Sequence, residues 1–332
     1  MATRSTYLQR ARDELWSREV FTFIPDRDLP PPEGTAEAGD GPAVVFTGFP
    51  SDYSLAFLLA LLELDVRVVG IVTSPGAHPA ILGDNALSRI ADHLGIALLR
   101  AWRINDEHSR MHLAALQPEA VVMASFDQIV GHRTLEIPRE GWLNIHPSLL
   151  PQYRGPEPVY WAIAEGAQET GITLHRAAPK VDSGPVYAQA RVPVDPDETS
   201  GSLTRKLVAA GVEVLPAALH KLLAGDPGSQ LDMSAASYRT SVGHRLLTSA
   251  RSATEAERMV RAGVPNMLAW AQLDGHVAYV WKARLVSNGN PARLPVLKFP
   301  DGSLQILEAS DSCGCHHDVL DCPHRGGDVA SL

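Results

Sequence analysis

The chain has 332 residues, enough for about two domains that each bury a core of their own. Its composition, with 45% hydrophobic and 20% charged residues, is typical of a globular protein and excludes a disordered, collagen-like or coiled-coil chain. A formal charge of −9 argues against a broadly basic surface for nucleic acid or anionic lipid, so small molecules are the expected partners.

The first forty residues, 1–40, are predicted to form an N-terminal arm and a linker. Apolar residues at helical spacing predict a helix over 5–19, and the Pro- and Gly-rich stretch 30–42 has little to bury. The charged N-terminus lacks the apolar run of a signal peptide, and no apolar stretch approaches the ~20 residues that cross a bilayer. We therefore expect a cytoplasmic protein without a membrane segment.

Residues 41–232 are predicted to form the larger domain, in which strands and helices alternate. Apolar runs bounded by Gly and Pro predict strands at 43–46, 67–72, 97–99, 120–124, 142–145 and 186–192. Helical periodicity between them predicts helices at 53–64, 85–94, 106–116 and 203–223. Strand-helix-strand units have parallel strands and right-handed crossovers, so the sequence predicts an α/β fold with a Rossmann-like, doubly wound, mostly parallel sheet.

Residues 233–332 are predicted to form a smaller, β-rich domain. The pattern there changes to one helix and several short strands, at 253–262, 277–285, 296–298 and 305–307. Asp301 and Gly302 are typical of a hairpin turn between the last two strands.

The first loop of the larger domain, residues 47–50, stands where a dinucleotide-binding fold carries three glycines. This loop has only Gly48, and Pro50 follows it, so a dinucleotide cofactor is disfavoured. A lone glycine is most simply explained by a tight turn between strand and helix.

Polar side chains are predicted to meet at one edge of the sheet. Asn144, His146 and Ser148 alternate at the end of an apolar run, so their side chains share one face of a strand. That strand ends at the carboxyl edge of the sheet, where open α/β folds bind their ligands. An Asn amide can stabilise an oxyanion, and a His can transfer a proton near neutral pH. Asp182, in a turn before the strand at 186–192, could orient the imidazole.

These residues belong to a dense and ordered set of motifs. The set comprises GWLNIHPSLLPQYRG at 141–155, Pro158, Ala162, Ile163, Gly166, ETGIT at 169–173 and VDSGP at 181–185. It resembles the formyltransferase family that uses 10-formyltetrahydrofolate, whose members include methionyl-tRNA formyltransferase and amino-sugar N-formyltransferases. The resemblance covers residues 43–225 closely, and residues 264–307 more loosely resemble the OB-like C-terminal domain of some members. It implies a formyl transferase with 10-formyltetrahydrofolate as the donor.

The resemblance also implies roles for individual residues. Asn144, His146 and Asp182 fall on the family's catalytic positions, and no metal is required. Residues implied to line the pocket for the pterin are Phe126, Gln128, Ile129, Val130, Leu149, Pro179 and Val181. Residues implied to contact the acceptor are Gly48, Ser148, Tyr153 and Arg154, although Arg154 could equally be a clamp that holds its loop.

The implied reaction begins when a neutral amine attacks the formyl carbon. Asn144 and a protonated His146 are expected to stabilise the oxygen of the tetrahedral intermediate. Asp182 is expected to keep His146 charged and to remove the proton of the incoming nitrogen, directly or through a water molecule.

The acceptor amine is less well defined by the sequence. In methionyl-tRNA formyltransferases a basic loop after the second strand helps to engage tRNA, but the corresponding loop 73–83 contains no Lys or Arg. This favours a small biosynthetic amine, such as a nucleotide-linked amino sugar or a carrier-bound amine, with tRNA as the alternative. Two further hypotheses are hydrolysis of formyltetrahydrofolate and folate binding without turnover. The sequence is also compatible with a homodimer.

The cysteines all lie in the last twenty residues of the chain. Cys313, Cys315, Cys322 and His324 could together form a tetrahedral zinc site, but their spacing matches no standard zinc motif. The simpler interpretation is a frayed terminus, and we expect no metal to take part in the reaction.

Overall fold

The computed structural model describes residues 4–22, 41–74, 85–243, 245–286 and 294–311. Most of the predicted linker, most of the loop 73–83, and Cys313, Cys315, Cys322 and His324 lie outside these residues. The chain divides into two compact units. The first comprises Met1–Pro158, Glu169–Pro193 and Thr204–Thr240, and the second comprises Val159–Gln168, Val194–Leu203 and Ser241–Leu332.

The first unit is built on a seven-stranded sheet. Its strands are β1 (Ala43–Gly48), β2 (Arg67–Thr73), β3 (Ala97–Arg100), β4 (Ala120–Ala124), β5 (Gly141–His146), β6 (Glu169–Arg176) and β7 (Val186–Pro193). They lie in the order β3-β2-β1-β4-β5-β6-β7, and the first five are parallel to one another. β6 and β7 are antiparallel to their neighbours. The predicted doubly wound, mostly parallel sheet is therefore confirmed.

The described helices alternate with the first strands, and the periodicity predicts all of them except those at His132–Leu135 and Pro158–Ala164. They are α1 (Arg4–Trp16), α2 (Asp52–Leu62), α3 (Ala86–Leu94), α4 (Glu107–Ala115), α5 (His132–Leu135), α6 (Pro158–Ala164), α7 (Ser200–Leu223) and α8 (Ala253–Gly263). Capping residues fix several boundaries: Ser51 caps α2, and Asn85 and Ser88 form a capping box at the start of α3. Within the described residues, no helix combines the length and apolar character needed to cross a membrane.

The strand order reverses between β1 and β4. The chain builds β1, β2 and β3 outward in one direction and then returns to place β4 on the other side of β1. At such a reversal the loops that follow the two strands diverge and leave a crevice at the carboxyl edge of the sheet. Strand β5 is the next strand after β4, so its last residue, His146, ends at this same edge.

The described part of the N-terminal arm is packed into the first unit. Leu8, Ala11 and Leu15 on α1 are buried, and so is Phe21 beyond the helix. The Arg18 guanidinium forms an ion pair with Asp52 at the start of α2. The sequence predicts the arm's helix, and the structure shows that this helix contributes to the core.

The second unit contains a separate antiparallel sheet. Its described strands are β8 (Ala269–Leu273), β9 (His276–Val286), β10 (Val296–Phe299) and β11 (Gly302–Ser310), in the order β10-β11-β9-β8. Helix α8 buries Ala256 and Val260 against this sheet. Phe299 pairs with Gly302, so the predicted hairpin forms, but its turn residues are Pro300 and Asp301, and Gly302 is the first residue of β11. The predicted β-rich region is thus confirmed, whereas β8 was not predicted.

Candidate active site

Asn144, His146 and Asp182 converge at the carboxyl end of β5. Alternation along this strand places Asn144 and His146 on one face, and Asp182 lies in the loop between β6 and β7. The Asn144 amide nitrogen Nδ2 lies 3.2 Å from Asp182 Oδ1, and His146 Nδ1 lies 3.7 Å from the same oxygen. The three side chains, which are distant in the sequence, can therefore act on one reacting centre.

A fourth residue, His175, belongs to this cluster and was not singled out in the sequence. It lies on β6 directly opposite Asn144, and its ring is almost fully buried. Its Nδ1 lies 2.9 Å from the carbonyl oxygen of Arg176, so Nδ1 carries the proton and Nε2 is left as an acceptor. Nε2 then accepts a hydrogen bond from Asn144 Nδ2 at 3.0 Å. Both amide hydrogens of Asn144 are thus used, one on His175 and one on Asp182.

His146 is held in one tautomer by the backbone. Its Nε2 lies 3.0 Å from the carbonyl oxygen of Tyr153, which can only accept, so Nε2 carries a proton and donates it. Burial lowers the pKa of His146 below its usual 6.5, although the Asp182 charge and the Tyr153 carbonyl oppose the shift. At neutral pH His146 is therefore neutral, with the lone pair of Nδ1 facing Asp182. This differs from the expected protonated imidazole because the desolvation cost outweighs the attraction of the carboxylate.

Asp182 remains ionised in the same surroundings. Burial raises its pKa, but the charge that His146 carries when it is protonated and the backbone N–H of Gly155 outweigh burial and hold the pKa at about 2. The Gly155 N–H donates to Asp182 Oδ2 at 2.9 Å. Asp182 also has a positive φ of 48°, a conformation that Asp tolerates better than most residues.

The loop that follows β5 supports this carboxylate. Arg154 is buried, and its guanidinium donates to the backbone carbonyl oxygens of Val181 and Asp182, with Nε 3.0 Å from each. A planar fork that binds two carbonyl groups fixes the backbone on either side of this peptide. The geometry therefore matches the clamp that the sequence had left as one of two roles for Arg154.

The other residues implied for acceptor binding are engaged within the protein. Ser148 is buried and donates from Oγ to the carbonyl oxygen of Gln152 at 2.7 Å. The backbone carbonyl of Tyr153 holds His146. Gly48 is packed so closely that a Cβ there would lie 2.6 Å from the carbonyl oxygen of Ala124. These contacts describe how the site is supported, and acceptor contacts by these residues stay a prediction.

The residues implied for the donor pocket lie on three segments of the first unit. Gln128 binds the loop after β3, where its side chain accepts from Ile104 N–H and donates to the Ala101 carbonyl, both at 2.7 Å. Ile129 is 70% exposed and belongs to the same segment. The remaining members vary in exposure: Val130 is buried, Phe126, Leu149 and Val181 are half-buried, and Pro179 is exposed. Their contact with a pterin stays a prediction.

Comparison with known proteins shows to which family the chain belongs. The family model described as formyl transferase matches residues 59–219, a range that contains Asn144, His146, His175 and Asp182. The methionyl-tRNA formyltransferase of Bacillus cereus (strain B4264) is 33% identical over 255 residues, which cover 75% of this chain and 81% of that protein. The chain belongs to the formyl transferase family. The corresponding protein of Bacillus mycoides (strain KBAB4) is also 33% identical, over 74% of this chain and 79% of its own.

Solved structures support the fold of this formyl transferase. An N-formyltransferase from Helicobacter canadensis, in complex with folinic acid and dTDP-3-aminofucose, matches with a TM-score of 0.58 at 16% identity, covering 81% of this chain and all of that one. HypX from Aquifex aeolicus, in complex with tetrahydrofolic acid, matches with a TM-score of 0.57 at 19% identity, over 79% of this chain and 43% of its own. The fold and the enzyme class predicted from the sequence, a formyl transferase, are both confirmed.

Proposed function

We propose that this enzyme transfers the formyl group of 10-formyltetrahydrofolate to the nitrogen of a small primary amine. One observation carries the proposal: the His146 Nδ1 lone pair and the ionised Asp182 Oδ1 lie 3.7 Å apart in a buried site, and neither can donate to the other. Two acceptors that converge in this way provide a place for an N–H or O–H donor between them. An attacking amine is such a donor.

The chemistry follows from these protonation states. The amine nitrogen forms a bond to the formyl carbon, and the carbonyl oxygen takes up negative charge. His146 Nδ1 accepts a proton from the amine, and the carboxylate of Asp182 stabilises the imidazolium that results. The bond from carbon to N10 then breaks, and the same proton passes to N10. The products are the formamide and tetrahydrofolate, and His146 returns to its neutral state.

Asn144 has a defined part in this sequence. In the ligand-free site its two amide hydrogens bind His175 and Asp182. Stabilising the oxyanion requires that one of these bonds be exchanged for a bond to the substrate oxygen. Because the new bond is strongest once the substrate oxygen carries negative charge, it favours the intermediate over the ground state.

Two neighbours in fold support the choice of donor. Their structures contain folinic acid in one case and tetrahydrofolic acid in the other. In this chain, Gln128 joins the loops after β3 and β4 beside the crevice, which gives the proposed pterin pocket a fixed wall. Pterin binding by residues 126–130, Leu149, Pro179 and Val181 is part of the proposal.

The acceptor is proposed to be a small amine, carried on a nucleotide or another carrier. The formal charge of −9 and the absence of Lys and Arg from residues 73–83 both argue against an RNA acceptor. Contacts with phosphate dominate the binding of RNA, and these contacts need basic residues. Methionyl-tRNA is the second candidate, because the relatives at 33% identity are methionyl-tRNA formyltransferases.

An acceptor panel tests the proposal. The full chain would be incubated with 10-formyltetrahydrofolate and, separately, with amino-sugar nucleotides, free biosynthetic amines and methionyl-tRNA, and formamide formation would be followed by mass spectrometry. We expect a small amine to be formylated and methionyl-tRNA to react poorly. Efficient formylation of methionyl-tRNA alone would establish the second candidate. Formate release without an acceptor would indicate a hydrolase, and folate binding without any product would indicate a protein that only binds folate.

A further inference from the structure

The first turn of α2 is bonded to the ends of two strands beside the catalytic cluster. The Tyr53 hydroxyl donates to the backbone carbonyl oxygen of Ile145 at 3.0 Å. The Ser54 hydroxyl donates to the backbone carbonyl oxygen of Ala124 at 2.7 Å. Ala124 and Ile145 are paired neighbours on β4 and β5. Two hydroxyl groups of one helix turn therefore hold the ends of two adjacent strands.

The bond from Tyr53 reaches the catalytic strand at a sensitive point. Ile145 lies between Asn144 and His146 on β5, and because the peptide bond is planar, the direction of its carbonyl also sets the peptide plane that leads to His146. The Tyr53 side chain is buried, and burial raises its pKa well above the usual value of about 10. The hydroxyl therefore stays protonated and acts as a fixed donor to the backbone of the catalytic strand.

Asp52, the residue before Tyr53, is bonded to the N-terminal arm. Its buried carboxylate pairs with the Arg18 guanidinium and accepts the Thr22 N–H on Oδ2 at 2.9 Å. Its own N–H donates to the carbonyl oxygen of Thr22 at 3.1 Å. Since Asp52 is the first residue of α2, these bonds fix the start of the helix relative to the arm.

The same part of the arm is also held by α7. The buried Phe21 ring packs on Trp16, with the ring centres 5.2 Å apart. The Arg205 guanidinium on α7 lies 5.5 Å from the centre of the Trp16 ring and donates to the Trp16 carbonyl oxygen at 3.3 Å. All of these residues belong to the first unit. Residues 16–22 thus give the bonds to Asp52 a rigid base.

We infer that the N-terminal arm positions the catalytic strand β5 through Tyr53. Arg18 fixes Asp52 at the start of α2, and the adjacent Tyr53 then holds the backbone of β5 between the two catalytic side chains of that strand. A displacement of about 1 Å in a reacting group can cost roughly a hundredfold in rate. The inference rests on the proposed function and adds Arg18 and Tyr53 to it as positioning residues.

A double-mutant cycle on turnover tests this inference. The full-length wild type, Tyr53→Phe, Arg18→Ala and the variant that combines both substitutions would be assayed with 10-formyltetrahydrofolate and the acceptor that the panel identifies. Both kcat and KM would be measured, at a temperature at which each variant keeps the wild-type circular dichroism spectrum. Arg18→Lys would be included because it keeps the positive charge opposite Asp52.

Two matched controls separate positioning from a general loss of contacts. Arg12→Ala also removes an ion pair between α1 and α2, but its partner Glu63 lies at the opposite end of α2. Tyr7→Phe also removes the hydroxyl of a buried tyrosine, but the Tyr7 ring packs on His93 of α3. Neither control changes a bond to β4 or β5.

We expect Tyr53→Phe to lower kcat by about fivefold or more while KM for both substrates stays within about threefold, because the strand is displaced and the binding residues are kept. Arg18→Ala should lower kcat by about threefold or more in the wild type. In Tyr53→Phe the same substitution should have an effect of less than about twofold, because the bond through which the arm acts is already lost. Arg18→Lys should keep at least about half of the wild-type kcat, and both controls should behave like the wild type.

Three results would overturn the inference. Folded Tyr53→Phe keeps more than about a fifth of the wild-type kcat; or Arg18→Ala lowers kcat by the same factor with and without the Tyr53 hydroxyl; or Arg12→Ala lowers kcat as much as Arg18→Ala. Each of these is seen with an active wild type and leaves formyl transfer itself untouched. If Tyr53→Phe does not fold, the comparison of Arg18→Ala with Arg18→Lys and Arg12→Ala decides. A wild type that formylates no acceptor would instead count against the proposed function, and the positioning role would lose its basis with it.

Discussion

His146 Nδ1 and Asp182 Oδ1 face each other at 3.7 Å, an imidazole lone pair opposite an ionised carboxylate. The distance is too long for a direct hydrogen bond. The backbone enforces this arrangement, because the Tyr153 carbonyl accepts a hydrogen bond from His146 Nε2 and the Gly155 N–H donates to the other carboxylate oxygen. In the proposed function, this pair of acceptors takes the proton that the amine loses.

Replacing the carboxylate while keeping its shape should abolish most of the turnover. In Asp182→Asn the imidazolium formed during transfer has no counter-ion, so we expect kcat to fall by about 10²–10⁴-fold. The affinity for tetrahydrofolate should change by less than about threefold. Steady-state kinetics with the acceptor found in the panel, together with calorimetry, would measure both quantities.

Asp92→Asn provides the control for this substitution. Asp92 is exposed on α3, so the loss of its charge should leave kcat unchanged. If Asp182→Asn kept more than a tenth of the wild-type kcat, Asp182 could not be the counter-ion of the proton-accepting imidazole.

The protonation state of His146 can be measured directly. Burial lowers its pKa, so the midpoint of its titration in the ligand-free enzyme should lie below 6.5. The chain contains 13 His residues, and loss of one signal in His146→Gln would assign the resonance in an NMR titration. In Asp182→Asn the pKa of His146 should fall further, because the negative charge that opposes the shift is removed. A midpoint above 6.5 in the wild type would contradict the neutral ground state.

The same pKa shifts determine how stability depends on pH. The pKa of Asp182 is about 2 in the folded state and 3.8 without its partners, so its stabilising contribution of about 2 kcal/mol is complete above 3.8 and is lost as pH falls toward 2. The lowered pKa of His146 acts in the same direction from a higher pH, because the unfolded chain takes up that proton first as pH falls below 6.5. Chemical denaturation of the wild type and of His146→Gln between pH 7 and 5 should therefore show a smaller loss of stability in the variant. A larger loss in the variant would mean that the folded state favours the imidazolium.

His175 is predicted to position the catalytic amide. His175→Gln can still accept the Asn144 hydrogen bond and should keep kcat within about threefold. His175→Phe fills the space but removes the acceptor, and we expect kcat to fall more than tenfold while KM for the amine is unchanged. Equal activities in the Gln and Phe variants would show that His175 only fills space.

The contrast between His146 and His175 shows what the sequence can predict about this site. Asn144 and His146 alternate within one strand, so local periodicity was enough to place them on a common face, whereas Ser148 lies beyond the end of β5. His175 joins them only through the antiparallel pairing of β5 with β6, which sets Asn144 opposite His175. A single sequence shows the alternation within β6 but does not show which residue it faces across the pair.

The fold shows the same contrast between features that the local sequence predicts and features that depend on distant contacts. The strands β1, β2 and β4 are short apolar runs between turn residues, and their predicted bounds agree with the structure to within two residues. The burial of the N-terminal helix was not evident, because Leu8, Ala11 and Leu15 also suit a surface helix. Likewise, Arg154 binds the carbonyls of Val181 and Asp182, which lie 27 and 28 residues further along the chain. No local sequence pattern predicts contacts between residues so far apart.

Arg154 is predicted to stabilise the loop that carries Asp182 by binding its backbone. Arg154→Lys keeps the charge but loses the planar fork, so it cannot bind both carbonyl groups in the same geometry. We expect the free energy of unfolding to fall by about 1–3 kcal/mol and kcat to fall about tenfold. Arg191→Lys is the control, since Arg191 pairs with Glu169 on the surface and its substitution should change stability by less than about 0.5 kcal/mol. If both variants behaved alike in denaturation and kinetics, the clamp would have no measurable role.

The N-terminal arm should be needed for the stability of the first unit. Asp52 is 1% exposed and binds the Arg18 guanidinium and the Thr22 N–H, the latter at 2.9 Å. Arg18→Ala leaves this buried carboxylate with the Thr22 N–H and the N-terminus of α2 as its remaining partners, and we expect a loss of about 2 kcal/mol.

Arg12→Ala is the matched control for Arg18→Ala. Arg12 also joins α1 to α2, through Glu63, but both side chains are more than a third exposed. Water replaces such a partner readily, so the loss should stay below about 1 kcal/mol. Urea denaturation of the two variants and the wild type measures the difference. Equal losses would mean that the arm is held by the apolar contacts of Leu8, Ala11 and Leu15 alone, and that the buried ion pair adds nothing to them.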